Sequence, residues 1–324
     1  MKNFELARPS SVAQARELLA DRPGAVLKAG GIDLLDHLKE HLVETPRVVD
    51  LKGVAGMREI APQPDGSLRI GPLATLAEVA AHAGVRQTHR ALAQACGEAA
   101  SPQIRNVATI GGNLLQRPRC WYYRQESYKC LKKGGDVCYA VGGENRYHAI
   151  FGGGPSYAVH PSNAAVPLVA MGAQLVLEGE KGPRTVAASD FFTGPNKDPE
   201  RENQLQPNEV LTEIRVPAAV GWRSAYDDVR ERAAFDWPLV AAATAVRLDG
   251  GIVKEARIVL GAVAPVPWRS VRAEQALVGK ALDATTAAAA ATAATVGAAP
   301  LSENAYKVGL VQTLLRRTLL GLAS

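Results

Sequence analysis

Three of the four cysteines in this chain, Cys120, Cys130 and Cys138, fall within nineteen residues. Four cysteines in 324 residues are too few for a disulfide framework. Bunched as C-x9-C-x7-C, three of them read as ligands of a metal or a cluster in a reduced setting. An irregular loop suits that role, because a bound metal supplies order that the local sequence does not. Just before the loop stands a polar, glycine-paired turn, Thr109, Gly111, Gly112 and Asn113, suited to close backbone approach to a ligand. The stretch from Ser101 to Ser162 is therefore what the rest of the chain is organised around.

The remaining composition narrows the class. The length allows two domains, or three small ones, each with its own core. A hydrophobic share of 47% with 21% charged residues is ordinary for a soluble globular protein. The net charge of +5 is spread along the chain without a basic strip of stacking aromatics, so nucleic acid is not an expected partner. The N-terminus, MKNFELARPSS, has no apolar h-region, and no run reaches the length of a membrane span.

Residues 10–20 form an expected amphipathic helix behind a serine, and Ala25 to Lys28 a short buried strand. Gly30-Gly31 turns that strand into a helix from Ile32 to Leu42. A strand, a glycine turn and a helix start place free N–H groups where a phosphate can sit. Further strands are expected at Arg47–Leu51 and 68–73, and Thr75 caps a helix LAEVAAHAGV. A further helix from His89 to Ala100 contains Cys96, and the order of elements fits an α/β first half. After a helix and strand over 164–177 and a strand at 211–217, a domain boundary is placed near Val220. The last hundred residues differ: two alternating runs flank Asp249-Gly250-Gly251, a hairpin signal, and an Ala-rich helix and a second helix follow. The fold class is thus α+β: an α/β-type domain over 1–220, with the cysteine loop inserted at about 117–157, and a small antiparallel sheet with helices over 221–324.

KAGGIDLLDHLK (28–39), RNVATIGGNLLQ (105–116) and HPSNAAVPLVAMGA (160–173), in that order, resemble the FAD-binding (medium) subunit of the xanthine dehydrogenase family of molybdenum hydroxylases. LGAVAPVPWRS and LLRRTLL resemble that family's flavoprotein C-terminal domain, so the likeness covers nearly the whole chain. The cysteine loop is similar to the branch with a [4Fe-4S] cluster beside FAD, which includes periplasmic aldehyde oxidoreductase and 4-hydroxybenzoyl-CoA reductase flavoprotein subunits. The resemblance implies that Lys28, Ala29, Gly30, Gly31, Ile32, Asp33 and Leu34 form the first FAD loop around the diphosphate. It implies that Thr109, Ile110, Gly112 and Asn113 grip the diphosphate and sugar, and that Ser162 and Asn163 stand for a Ser-Asp pair at the nucleotide. Asn163 gains a donor and loses the charge, and Ile32 replaces a common hydroxyl residue. Where the wider family often has a lysine near the flavin this chain has Asp228, so no role is carried there.

The loop also admits other readings: a solvated basic loop with free thiols, or a zinc site using His148 or His160. In the cluster reading Arg117, Arg119, Arg124, Lys129, Lys132 and Lys133 are cations near the cluster that would raise its potential. Its fourth ligand is open. Relatives place a cysteine where Ser156 or Tyr147 stands here, which leaves Ser156, Cys96 or a site of three thiolates. Trp121, Tyr122 and Tyr123 would shield the cluster, dock a partner or simply pack.

No nucleophile–base pair is evident, and no molybdopterin or [2Fe-2S] signature. The resemblance therefore implies an electron-transfer subunit in a heterotrimer, with the molybdenum cofactor on a large partner, [2Fe-2S] clusters on a small one, and an external electron acceptor. A self-sufficient FAD oxidoreductase and a non-redox assembly subunit with a structural metal loop stay open. The expected compartment is the cytoplasm, or the periplasm if the chain travels folded with a partner bearing a twin-Arg signal.

Overall fold

The computed structural model describes residues 1–233 and 235–323, arranged around three sheets. The first holds β1 (Glu5–Ala7), β2 (Val26–Lys28) and β3 (Arg47–Asp50), all parallel, with β3 in the middle. All four residues of β3 are buried, as a central parallel strand requires. The helix Val12–Asp21 is capped by Ser11, whose side chain accepts from the Gln14 N–H, and buries Ala15 and Leu19 beside Val49 and Leu51. The helix after β2 runs Ile32–Lys39, shorter than the apolar spacing predicts, because His41 takes a left-handed φ of 58° and turns the chain away.

The second sheet contains β4 (Ile60–Pro62), β5 (Leu68–Ile70), β6 (Gln174–Gly179), β7 (Gly182–Ala187) and β8 (Val210–Val216), in the order β4-β5-β8-β6-β7. Every pairing in it is antiparallel, so the α/β reading of the first half holds for the first sheet only. Short apolar strands do not announce their direction; here β6 and β7 join by a tight turn, which only antiparallel neighbours can use. The helix behind Thr75 is split: Leu76–Ala81 carries a capping box with Glu78, His82 is extended, and Ala83–Thr88 restarts. Arg90–Glu98 and Ala165–Ala170 pack on this sheet, and all six residues of the latter are buried.

The third sheet is antiparallel: β9 (Trp222–Val229), β10 (Val240–Asp249), β11 (Ile252–Gly261) and β12 (Trp268–Arg269), in the order β12-β11-β10-β9. The expected hairpin joins β10 and β11, and the Ala-rich stretch is the helix Ala284–Ala294, burying Ala287, Ala290, Ala291 and Ala294 at helical spacing. One apolar cluster contains Leu175 and Ile214 together with Tyr226, Ala241 and Val259, so packing runs across residue 220.

Between Leu115 and Ala165 the chain has only two short helical turns, Trp121–Arg124 and Leu131–Lys133. Its far end is tied to the third sheet, where the Ile150 and Phe151 N–H groups donate to the Val263 carbonyl at 2.8 and 3.0 Å. Among the described residues no helix is long and apolar enough to cross a membrane.

Candidate functional site

A cavity of about 740 Å³ opens between the turn after β2 and the helix Ile110–Leu115. Lys28, Ala29, Gly30, Gly31, Ile32, Asp33 and Leu34 all line it, as do Thr109, Gly112, Asn113 and Asn163. Gly30 is where the two walls meet: a Cβ there would stand 2.2 Å from the Val107 carbonyl oxygen. The helix Ile32–Lys39 starts at Gly31, which supplies no side-chain cap. Its first-turn N–H groups are thus left for a ligand, with the positive end of the helix behind them. Lys28 is turned aside, held by Asp50 at 2.9 Å.

The second wall works differently. The Ile110 N–H donates to Ala74, the Gly111 N–H to Pro72, the Asn113 N–H to the Thr109 carbonyl, and the Gly112 N–H to the Thr109 hydroxyl. Its backbone donors are therefore already used. Ile110, expected to contact the cofactor, instead buries its side chain completely in the core. What this wall can offer is the Thr109 hydroxyl proton and the Asn113 amide. Asn113 Oδ1 accepts from the Ser162 hydroxyl at 2.7 Å and from the Ala164 N–H at 3.2 Å, which leaves its NH2 end for the cavity. Ser162 is buried behind Asn113 and positions it rather than lining the cavity. Asn163 donates to the Tyr226 hydroxyl at 2.9 Å; that hydroxyl donates to Asp228, which is paired with Arg230 at 2.6 Å. Burial, reinforced by Asp228, pushes Tyr226 well above the ordinary tyrosine range.

Asp33 links this cavity to the cysteine segment. Its Oδ1 meets Arg124 at 2.7 Å and Arg119 at 2.8 Å, and its Oδ2 accepts from the Arg117 N–H at 2.9 Å. Burial opposes its charge, yet Arg119, Arg124 and His37 outweigh that and hold the carboxyl below its usual range. Arg117 and Lys132 pair with buried Glu202 at 2.9 and 2.8 Å. Four of the loop cations expected around a cluster are thus neutralised by carboxylates, and serve to knit the segment down. His37, which sequence reasoning missed, reaches the buried Tyr123 hydroxyl from the helix Ile32–Lys39 at 3.1 Å. Phe235, Asp236 and Trp237 at the cavity mouth were missed as well; the Arg119 guanidinium lies 4.6 Å from the Trp237 ring.

The structure brings Cys120, Cys130 and Cys138 into one neighbourhood. Burial pushes the Cys120 thiol up to about 11; N–H groups of Tyr123 and Tyr122 act against that, and the Cys138 and Cys130 charges add to it. Gly135 lets the chain fold back between Cys130 and Cys138, since a Cβ there would sit 1.9 Å from the Lys129 carbonyl oxygen. Cys96 is set apart. It lies fully buried in the apolar cluster of the second sheet, which contains no residue between 116 and 163, and burial alone pushes its thiol to about 12. That placement removes it as a fourth ligand. His148 stands beside the cysteines with Nε2 at 3.2 Å from Cys120 Sγ, while Nδ1 is buried without a partner. Among the described residues no three His, Cys, Asp or Glu side chains converge on a single metal ion, which counts against the zinc alternative. A cluster spreads its ligands over several irons and needs no such convergence. Cys120, Cys130 and Cys138 share a neighbourhood, and His148 is in hydrogen-bond contact with Cys120.

Residues 2–219 match the family model for the FAD binding domain in molybdopterin dehydrogenase. The chain belongs to that family. Residues 224–322 match the CO dehydrogenase flavoprotein C-terminal domain. The flavoprotein is 34% identical over 322 residues to the aldehyde oxidoreductase FAD-binding subunit PaoB of Escherichia coli, covering 98% of each chain. It is 29% identical to the carbon monoxide dehydrogenase medium chain of Hydrogenophaga pseudoflava, covering 98% of this chain and 96% of the other. A carbon monoxide dehydrogenase structure from that organism superposes with a TM-score of 0.78 at 29% identity, covering 99% of this chain and 97% of that one. Quinoline 2-oxidoreductase from Pseudomonas putida 86 gives 0.78 at 28%, covering 100% and 98%. The chain is thus an FAD-binding medium subunit of the xanthine dehydrogenase and CO dehydrogenase family, a part of a molybdenum-dependent oxidoreductase.

Proposed function

We propose that this chain is the FAD-binding, iron–sulfur electron-transfer subunit of a heterotrimeric molybdenum hydroxylase that oxidises an aldehyde or an N-heteroaromatic compound. The observation that carries the reading is the joint at Asp33, where the loop that would hold a cofactor diphosphate is ion-paired to the segment that carries three cysteines. Bound FAD would take electrons that originate at a molybdenum cofactor on a large partner and pass through [2Fe-2S] clusters on a small one, and hand them to an external acceptor. Toward that cofactor the first-turn N–H groups of Ile32, Asp33 and Leu34 would hold the diphosphate. The Thr109 hydroxyl and the Asn113 amide would bind from the opposite wall, and Asn163 would meet the nucleotide end. Cys120, Cys130 and Cys138 would hold a [4Fe-4S] cluster. The relative named as an aldehyde oxidoreductase subunit supports aldehydes, and the quinoline 2-oxidoreductase likeness supports N-heteroaromatics. The reading keeps a domain division near Val220, which is 81% exposed between β8 and β9. The compartment follows the partners: cytoplasm, or periplasm by folded export.

The test is flavin, iron and acid-labile sulfide per chain on anaerobically purified complex, with EPR after dithionite. About four irons and four sulfides per FAD beyond the two of each that every [2Fe-2S] cluster of the small partner brings, with two further chains co-purifying, is the expected result. Flavin with iron and sulfide accounted for by [2Fe-2S] clusters alone would remove the [4Fe-4S] cluster and leave the FAD subunit. Absence of flavin from a folded chain would overturn the whole reading.

A further inference from the structure

We infer that Asp228 is a positioning residue for the cofactor: acting through Tyr226, it turns the Asn163 amide so that Oδ1 is presented to the cavity as a hydrogen-bond acceptor. The inference rests on the reading of that cavity as the FAD site. It deepens that reading by saying which cofactor groups this wall binds: donors, such as a sugar hydroxyl or a ring N–H. Asn163 Nδ2 lies 2.9 Å from the Tyr226 hydroxyl, which lies 3.1 Å from Asp228 Oδ2. Arg230 pairs with the same carboxylate oxygen at 2.6 Å. The line is sealed, with none of the four more than 9% exposed.

The polarity of this line is set at its far end. A carboxylate accepts and cannot donate, so the Tyr226 proton goes to Asp228. The phenol oxygen is then left as an acceptor, and only the NH2 end of Asn163 can meet it. Turned the other way, the amide would set oxygen against oxygen with no proton between them, a costly arrangement in a buried place. Among the described residues nothing donates to Asn163 Oδ1. Nor is Oδ1 one of the sealed polar atoms that lack a partner, so it opens onto space, and the cavity is what Asn163 lines.

The other walls make an acceptor useful here. The uncapped first turn after Gly31, the Thr109 hydroxyl and the Asn113 NH2 all donate, which suits a diphosphate but not a group that itself donates. Asp33, a carboxylate on the same cavity, is taken up by Arg119 and Arg124. Asp228 has a second task, the neutralising of Arg230, whose Nε is already buried without a partner. Exchanging residues 163 and 228 separates the two tasks, because it restores an acceptor at the cavity without restoring the carboxylate beside Arg230.

The experiment is titration of the flavin-stripped complex with FAD, comparing the parent with Asp228→Asn, Tyr226→Phe, the two combined, and the exchange of Asn163→Asp with Asp228→Asn. The amide of Asp228→Asn can donate to Tyr226, which frees the phenol proton for Asn163 and turns the NH2 of Asn163 to the cavity. FAD affinity should fall about three- to tenfold in each single variant. Combining them should bring no further fall, because both break one line. The exchange should recover most of the loss at unchanged net charge, since a carboxylate at 163 accepts whichever way it is turned. Parental affinity in Asp228→Asn or in Tyr226→Phe overturns the inference. An exchange variant as weak as Asp228→Asn alone also overturns it, and leaves Asp228 the neutralising of Arg230 only. If Asp228→Asn does not fold, Tyr226→Phe, which keeps the ion pair, decides. A parent complex that takes up no FAD overturns the FAD reading itself and the inference with it.

Discussion

The cavity proposed for the flavin and the cysteine segment lie side by side and are built in opposite ways. The cavity's first wall is backbone: a strand end, two glycines and a helix start with no side-chain cap. The segment has two short helical turns, and side chains hold it: Asp33, Glu202 and His37 from outside, Arg117, Arg119, Arg124 and Lys132 from within. A backbone site fails when a side chain intrudes, whereas a side-chain-knitted site fails when one charge is removed. The two should therefore break independently, except where ties of the segment also line the cavity, above all at Asp33, which His37, Arg117 and Arg119 surround.

The largest effect is expected at that shared residue. Asp33→Ala leaves the guanidiniums of Arg119 and Arg124 and the Arg117 N–H without their central acceptor, in a place where the carboxylate is only 18% exposed. Loss of one partner of a buried pair costs about 3–5 kcal/mol. Asp36, which also reaches Arg124 at 2.6 Å, places the effect at the lower end. Flavin and iron should fall together in this variant, measured per chain by absorbance and metal analysis. Loss of flavin alone would mean that the segment does not depend on the joint.

Next comes a pH effect at the seam between the two regions. His160 packs its ring edge-on against Phe192 with centroids 4.6 Å apart, and burial pushes it down to about 4, with Glu202 raising it and Lys132 lowering it. Its unfolded value is the ordinary 6.5. Between those values the unfolded chain takes up a proton that the folded chain refuses. Stability is therefore full above pH 6.5 and falls as pH drops toward 4, by about 1.4 kcal/mol per unit and about 3 kcal/mol in all. Urea unfolding across this window should show a slope shallower by about one proton in His160→Leu. An unchanged slope would mean that the seam is wet.

Gly30→Ala tests the backbone wall alone. Its Cβ would meet the Val107 carbonyl oxygen at 2.2 Å, so one loop must move off the other. Overpacking of this kind costs about 1–3 kcal/mol, which predicts FAD affinity down by about tenfold or more. Iron should stay at the parental level, since none of the cysteine segment's ties runs through Gly30. Joint loss of iron would erase the distinction drawn above.

The same division explains what could be read from the chain. Gly30-Gly31 between an apolar strand and a helix, and Thr109 three residues before Gly112, are local patterns with local causes, so the cavity lining was legible. The exception at Ile110 is instructive: a six-residue helix beginning there turns its side chain to the core and spends its N–H on Ala74, a partner that no nearby residue announces. The ties of the segment were not legible, because Asp33 and Arg124 are 91 positions apart and His37 and Tyr123 are 86 apart. A row of cations in a loop looks the same whether it faces a cluster or is consumed by distant carboxylates. Strand direction in the second sheet was hidden for a related reason, since pairing partners such as Leu175 and Ile214 are set by the tertiary fold.

The smallest expected effect lies where the two regions share a surface. The Trp237 ring is 43% exposed at the cavity mouth and stacks on the Arg119 guanidinium, the group that also pairs with Asp33 at 2.8 Å. Burial pushes Arg119 down to about 10 despite the opposing pull of Asp33, so its charge is poorly solvated and gains from an aromatic face. Trp237→Ala removes that face and opens the cavity mouth, yet leaves every ion pair of Arg119 in place. A cation–π contact at a half-exposed site contributes about 0.5–1 kcal/mol, which corresponds to FAD affinity weakened by about two- to fivefold. Titration of the flavin-stripped complex with FAD measures it. Trp237→Phe should recover part of the loss, because the aromatic face returns. If both variants bind equally weakly, the indole acts by covering the cofactor rather than by steadying Arg119, and the mouth then belongs to the cavity alone.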